Sequence, residues 1–340
     1  MLLLHKRLCI ICIRKKGKKG CLLFKIDFEK AYDRVDWQFL KLTLEEFGFP
    51  VIISNLIMCC ITSSSLALKW NGEKLDNFAP KRGLRQGDPL SPYLFILCME
   101  KLSLLIQDKV DTRQWFPVKI SRNGPPFSHL LFADDCLLFT EAKASQVRLV
   151  QNVINNFCRA SGLKVNIQKS RFFPSHNVPR SKVIKFESIV EFHHTNNLGK
   201  YLGFPMLTGR VRISDFNYIL DKINGRLAGW KSNLLSRAGC VTLARSVITA
   251  MPIYSMQNLW LPSSVCNNVD SIIRNFVWGR NSCHWVGWST LIKPRLKGGL
   301  GIRTTRKANT AMLGKHVWDI LNSPQKLWVQ MCKTLNSTVR

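Results

Sequence analysis

The 340-residue chain is predicted to be α+β: a mixed strand-and-helix unit followed by a mainly helical one. Two observations predict this. Strand-like apolar runs mingle with helical periodicity up to about residue 205, whereas only helical patterns recur after Asp215. The charge shifts at the same place. Residues 1–200 hold 31 Lys+Arg and 17 acids, and residues 201–340 hold 19 Lys+Arg, 4 Asp and no Glu.

The elements follow in order. Leu22 to Phe28 is strand-like. Trp37, Leu40, Leu44 and Phe47 repeat at helical spacing until Gly48 and Pro50 stop them. Leu66 to Trp70 reads as a strand ending in the hairpin signal Asn71-Gly72. Pro92 to Gln107 reads as a buried helix, with Ser91 as its N-cap and Pro92 at its first position. His129 to Ala133 and Cys136 to Phe139 are two strands around Asp134-Asp135, and Val147 to Phe157 is a helix ended by Ser161-Gly162. Lys200 to Met206 reads as a short hairpin. Phe216 to Leu227, Val241 to Ala250 and Val265 to Trp278 read as helices.

Composition narrows the function. Hydrophobic residues make up 46% and charged residues 21%, enough apolar content for a sizeable core. A net charge of +29 disfavours cationic partners and favours a polyanion, nucleic acid before an anionic membrane surface; a solvated basic face is the plainer alternative. The 12 cysteines are scattered through apolar runs, and Cys9-x-x-Cys12 has no second pair at metal spacing, so a reducing, intracellular setting is expected. His5, Lys6 and Arg7 interrupt the apolar start, and no uninterrupted apolar stretch is long enough to span a bilayer, so no membrane insertion is expected.

The chemistry concentrates in three stretches. Leu130-Leu-Phe-Ala-Asp134-Asp135-Cys-Leu-Leu-Phe139 sets two adjacent carboxylates inside an apolar run. At ~4 Å such charges repel by roughly 1–4 kcal/mol, and partial burial adds to that. A basic side chain, a retained proton or a divalent cation would offset it; an ordinary surface Asp-Asp turn is the alternative. Phe24-Lys-Ile-Asp27-Phe28 ends a second strand in an acid, which could instead cap the following helix. Three carboxylates converging there would supply the ligands two Mg²⁺ ions need for in-line nucleotidyl transfer. Gly83-Leu-Arg85-Gln86-Gly87-Asp88-Pro89-Leu-Ser91-Pro92 is a loop before a helix, in which Gly87 would let a ligand approach the backbone.

Together, Phe24 to Trp37, Gly83 to Pro92 and Phe132-Ala-Asp-Asp135 resemble, in order and spacing, motifs A, B and C of reverse transcriptases, in the flavour of the LINE-type (non-LTR) retrotransposons of plants. Gly162 to Ser170 resembles motif D, and Tyr201-Leu-Gly-Phe204 the primer-grip hairpin. Leu227 to Trp230, Arg237 to Cys240, and Trp288 through Gly298-Gly-Leu-Gly-Ile302 resemble the regions that follow in plant elements.

The resemblance implies a polymerase palm, an antiparallel sheet with flanking helices, over 21–205. It implies a helical thumb-like region over 206–280, a basic tail over 281–340 and a basic N-terminal remnant over 1–20. Asp27, Asp134 and Asp135 would be the catalytic carboxylates and, with the Phe28 carbonyl, the metal ligands. Tyr32 would be the steric gate under the sugar, or else a core aromatic. Arg85, Gln86 and Gly87 would lie against the template base and incoming nucleotide. Lys169 would donate a proton to the pyrophosphate leaving group, or else be a surface lysine. Leu202 and Gly203 would seat the primer end. Arg226, Lys231, Arg237 and Arg245 would contact nucleic-acid phosphates, beside a Trp230 read as a core ring.

The implied activity is RNA-directed DNA polymerisation with two Mg²⁺ ions, Mn²⁺ able to substitute. Its partners would be an RNA template, a DNA primer and deoxynucleoside triphosphates, with no membrane and no stable protein partner inferable, in the nucleus and/or cytoplasm. Only 26 residues precede Asp27, and the cluster Arg14, Lys15, Lys16, Lys18 and Lys19 is too small to rebuild a fingers subdomain. The expectation is therefore a truncated copy of weak or no activity. A non-catalytic or domesticated nucleic-acid-binding protein is the second reading. A maturase-like splicing factor is the third, disfavoured by the stretch after Tyr201. Cys283-His284 resembles the zinc-knuckle tail of some relatives, without four ligands in evident spacing.

Overall fold

The structure is a computed structural model that describes Cys12 and residues 20–119, 124–195, 199–205, 212–229, 235–279 and 286–336. The chain divides into two compact units, the first built on residues 5–197 and the second on 198–337.

In the first unit, β1 (Cys21–Ile26) leads through α1 (Ala31–Arg34), α2 (Trp37–Glu46) and α3 (Val51–Thr62) to the hairpin β2 (Lys69–Trp70) and β3 (Glu73–Lys74). The long α4 (Ser91–Asp111) follows, then β4 (Val118–Lys119), β5 (Pro126–Phe127), β6 (His129–Phe132), β7 (Asp135–Glu141), α5 (Ala144–Ser161), β8 (Arg171–Pro174) and α6 (Arg180–Val190). Four strands form one antiparallel sheet in the order β6-β7-β1-β8.

Side chains alternate across a strand, so this register sorts them by face. Leu22, Phe24 and Ile26 of β1, Cys136 and Leu138 of β7 and Phe172 of β8 share a core with Phe95, Cys98 and Leu102 of α4 and with Val150, Ile154 and Phe157 of α5. Phe24 is fully buried; truncating such a ring to Ala costs about 3–5 kcal/mol. The same alternation turns Lys25 and, one step past the strand, Asp27 to the opposite face.

Most expected elements are present, with shifted ends. The Asn71-Gly72 turn has positive φ at both central residues, 48° and 93°, as a type I′ hairpin requires. Gly162 ends α5 in the left-handed conformation at φ 74°. The long helix starts at Ser91, one residue earlier than expected, and Ser91 does not cap it; the Asp88 carboxylate instead accepts the Leu90 N–H at 2.8 Å. The cap reading of Asp27 also fails. Asp36 caps α2, accepting the Phe39 N–H at 2.9 Å.

Several elements were not anticipated, α3, β8 and α6 among them. The segment of α3, Val51-Ile-Ile-Ser-Asn-Leu-Ile-Met-Cys-Cys-Ile-Thr62, is apolar almost all round and so carries no helical stripe to read; only its Ser54 is buried. β8 is four residues long and α6 starts behind Pro179 with a weak stripe.

The second unit opens with the hairpin β9 (Lys200–Tyr201) and β10 (Phe204–Pro205), turned by Leu202 and Gly203 at φ 48° and 76°. Helices follow: α7 (Asn217–Ala228), α8 (Arg237–Leu243) running into a π-type turn over Ala244–Ile248, α9 (Ile253–Met256), α10 (Ser263–Trp278), α11 (Trp288–Leu291), α12 (Thr305–Asn322) and α13 (Leu327–Asn336). Their core includes Ile219, Ile223, Ile248, Val269, Ile273 and, from the distal stretch, Ile302. Buried Asn309 ties the layers, accepting the Leu261 N–H at 3.0 Å and donating to the carbonyls of Met256 and Leu259. A Cβ at Gly299 would lie 2.0 Å from the Lys293 carbonyl oxygen, so the Gly298-Gly-Leu-Gly301 turn needs glycine there. Among the described residues, no helix is long and apolar enough to cross a membrane.

Candidate active site

The site grows from two strand ends. The last laddered pair of β1 and β7 is Ile26 with Cys136, so one further step sets Asp27 across from Asp135. In the neighbouring hairpin Phe132 pairs with Asp135, which leaves Ala133 and Asp134 as the turn. Ala133 takes φ 51°, a conformation L-residues avoid at a cost of roughly 1–3 kcal/mol. Asp134 is exposed at the tip, while Asp27 and Asp135 are half-buried.

Asp135 feels both of the other carboxylates. Burial pushes the Asp135 carboxyl above its ordinary value, Lys25 pulls it back, and Asp134 and then Asp27 push it further up. Asp134 also adds to the upward shift that burial imposes on the Tyr32 phenol. Among the described residues, no three His, Cys, Asp or Glu side chains gather into a ready-made metal cage. The donor set nonetheless suits a hard cation: it is all oxygen, and a cation beside it would offset the burial and the neighbouring carboxylates that raise Asp135.

Other expected residues assemble around this edge. The Tyr32 ring is half-buried and stacks on Phe95 with centroids 4.6 Å apart, so it is partly a core aromatic while its phenol senses Asp134. The loop before α4 docks on α1. The Leu84 N–H donates to the Tyr32 carbonyl at 2.7 Å, the Gly83 N–H to the Val35 carbonyl at 2.8 Å, and the Gln86 amide to the Asp33 carboxylate at 3.2 Å. Arg85, Gln86 and Gly87 are exposed. Lys169 is exposed on the turn before β8 and lines a cleft of about 580 Å³ with Phe28, Glu29, Arg34 and Lys164.

In the second unit, the Tyr254 hydroxyl donates to the Leu202 carbonyl at 2.7 Å and its ring lies 3.7 Å from a Cβ built on Gly203, so α9 braces the hairpin turn. Arg226 is exposed in the last turn of α7, Arg237 opens α8 with its guanidinium 5.5 Å from the Trp278 ring centre, and Arg245 is half-buried in the π-type turn. Lys231, Trp230, Cys9, Arg14, Lys15, Lys16, Lys18, Lys19, Cys283 and His284 lie outside the described residues.

Sequence reasoning missed Lys25, Phe95, Asn166, Ser170 and Tyr254 as neighbours of the expected residues. Lys25 was within reach, because two residues before Asp27 on a strand is the same face. The others depend on contacts distant in sequence.

The model of the family "Reverse transcriptase (RNA-dependent DNA polymerase)" matches residues 4–206. A protein of Arabidopsis thaliana that carries a ribonuclease H name is 36% identical over 128 residues, covering 36% of this chain and 21% of that protein. The Retrovirus-related Pol polyprotein from type-2 retrotransposable element R2DM of Drosophila melanogaster is 26% identical over 303 residues, covering 86% of this chain and 27% of the polyprotein. The chain thus spans about a quarter of the length of these relatives. Among solved structures, telomerase from Candida tropicalis with a fragment of telomeric RNA aligns over 96% of this chain and 52% of its own, at 12% identity and a TM-score of 0.44. The chain belongs to the reverse transcriptase (RNA-dependent DNA polymerase) family, in the LINE-type, non-LTR group of retrotransposable elements.

Proposed function

We propose that the first unit holds the nucleotidyl-transfer centre of an RNA-directed DNA polymerase, which extends a DNA primer on an RNA template with deoxynucleoside triphosphates. The observation that supports this reading is the strand register, which sets Asp27 across from Asp135 at one end of the sheet with Asp134 next to it in the hairpin turn. Asp27, Asp134, Asp135 and the Phe28 carbonyl would hold two Mg²⁺ ions, or Mn²⁺ in their place. When bound, the ions supply charge stabilisation for the attacking and leaving oxygens.

The side chains divide the remaining work. Tyr32, backed by Phe95, blocks the space a 2′-OH would need. Gln86, held toward α1 by Asp33, and Gly87 face the template base and incoming nucleotide, with Arg85 beside them. Lys169 delivers a proton to the departing pyrophosphate. Leu202 and Gly203 seat the primer end, and Arg226, Lys231, Arg237 and Arg245 follow the phosphate backbone. The site of action would be the nucleus and/or cytoplasm.

The test is Mg²⁺- or Mn²⁺-dependent extension of a DNA primer on an RNA template, run beside Asp134→Asn. Extension should fall by roughly 100-fold or more, the equivalent of about 3 kcal/mol of lost transition-state stabilisation. Hybrid binding without extension, indifferent to Asp134→Asn, would replace this reading with a non-catalytic nucleic-acid-binding protein.

A further inference from the structure

We propose that Ser170 is a positioning residue for Asp27, and that the turn over 166–170 holds this carboxylate where a divalent cation needs it. The inference rests on reading Asp27 as a metal ligand. Ser170 touches no reacting atom and acts through the backbone of Asp27.

Asp27 lies one residue beyond the β1 ladder, so the strand itself does not fix it. The turn does. The Asp27 N–H donates to the Ser170 hydroxyl at 3.1 Å, and the Asp27 carbonyl accepts the Asn166 N–H at 2.7 Å. Phe28 bridges Val165, and the Glu29 N–H donates to the Lys164 carbonyl at 2.8 Å. Three consecutive residues, including both expected metal-binding positions on this strand end, are thus gripped by one loop. That loop is itself closed: the Asn166 side chain accepts the Lys169 N–H at 3.1 Å and its carbonyl accepts the Ser170 N–H at 2.8 Å. The strand end bearing Asp27 and the turn bearing Lys169 are therefore joined at three consecutive residues by hydrogen bonds and a β-bridge.

Ser170 is fully buried, which is costly for a hydroxyl unless it is bonded. The fold holds a built-in comparison. At the other end of β1 the Cys21 N–H donates to the Ser175 hydroxyl at 2.9 Å, and Ser175 is buried as well. Two serines flank β8 and each takes one N–H at one end of β1. Only the Asp27 end carries a carboxylate of its own; across from Cys21 lies Glu141, which is paired with Lys143.

The experiment is Mn²⁺ binding to the full chain, followed by electron paramagnetic resonance of the free ion, for wild type, Ser170→Ala, Ser170→Thr, Ser175→Ala and Asp27→Asn, with thermal melts on each. Removing groups that orient metal ligands typically weakens metal affinity by about 10–100-fold. Ser170→Ala should weaken Mn²⁺ binding by about 10-fold or more, toward Asp27→Asn, with Thr restoring most of it. Ser175→Ala should lower the melting temperature comparably and leave Mn²⁺ affinity unchanged. Should Ser170→Ala fail to fold, Ser170→Cys, similar in size but a weaker acceptor, takes its place and should show a smaller loss in the same direction. Equal Mn²⁺ affinities for the Ser170 and Ser175 variants, or a wild-type chain that binds no Mn²⁺, overturn the proposal. The expected order of affinities in a chain that extends no primer would support it and sink the polymerase reading alone.

Discussion

Asp27 and Asp135 face each other one step past the last laddered pair of β1 and β7. The relationship has a stability consequence. Burial, then Asp134 and Asp27, raise Asp135 above its ordinary value of 3.8, against the pull of Lys25. The native state therefore binds this proton more tightly than the unfolded chain. The stabilisation from the protonated form is complete below the unfolded value and is lost as pH rises through the folded one. Ionised Asp135 thus destabilises the protein at neutral pH. Asp135→Asn should raise the melting temperature there, with the gap to wild type shrinking as the pH falls through the raised folded value and closed once it reaches about pH 4. Each 1 kcal/mol gained is worth roughly 2–4 °C in a unit of this size. Thermal melts across that pH range check it, and a variant that melts lower than wild type at neutral pH contradicts it.

How much of this was legible beforehand follows from how local each feature is. The Asp134-Asp135 hairpin and the Asn71-Gly72 and Leu202-Gly203 turns depend on neighbours in sequence, and the residues themselves announce them. The strand ending at Asp27 was legible too, but the register that brings it to Asp135 is a contact between residues more than a hundred positions apart. The Ser170 hydroxyl under Asp27 and the Tyr254 hydroxyl under Leu202 are of the same kind: ordinary residues, made special by folding alone. Helix α3 escaped for the opposite reason, since a segment apolar on every side has no period.

Tyr32 is held from two sides. Its ring stacks on Phe95 at an interplanar angle of 14°, and its carbonyl accepts the Leu84 N–H at 2.7 Å. The ring body, not the hydroxyl, is what would exclude a 2′-OH. Tyr32→Val should erode discrimination against ribonucleotides by about 10-fold or more, the range typical of a change in pocket size. Tyr32→Phe should keep it. Primer extension with matched deoxy- and ribonucleoside triphosphates makes the comparison, and equal discrimination by all three proteins would remove the gate from Tyr32.

The two loop glycines should separate by mechanism. Gly83 has φ 92°, and a Cβ there would lie 2.7 Å from the Asp33 carbonyl oxygen. Its N–H donates to the Val35 carbonyl and its own carbonyl accepts the Trp37 indole N–H, each at 2.8 Å. Gly87 has φ 91° with open space around it. Gly87→Ala meets only the left-handed penalty of roughly 1–2 kcal/mol. Gly83→Ala adds a backbone clash and should lose roughly 2–4 kcal/mol. Urea unfolding of both variants decides, and an equal loss would mean the Gly83 contact yields without cost.

The basic second unit makes a prediction about salt. Contacts to phosphate release counterions, so the logarithm of affinity falls linearly with the logarithm of salt concentration. Removing one contact lowers that slope by about one. Arg226 and Arg245 should behave this way when changed to Ala, weakening binding to an RNA–DNA hybrid alike across sequences. Arg237 should behave differently. Its guanidinium sits 5.5 Å from the Trp278 ring centre, a contact worth about 0.5–1 kcal/mol at an exposed site. Arg237→Ala should therefore lower the melting temperature as well as the slope, while Arg237→Lys keeps part of both. Fluorescence anisotropy over a salt series, paired with melts, separates the two effects. A slope unchanged in all of these variants would leave the positive charge of α7 and α8 as a solvated surface that tracks no backbone.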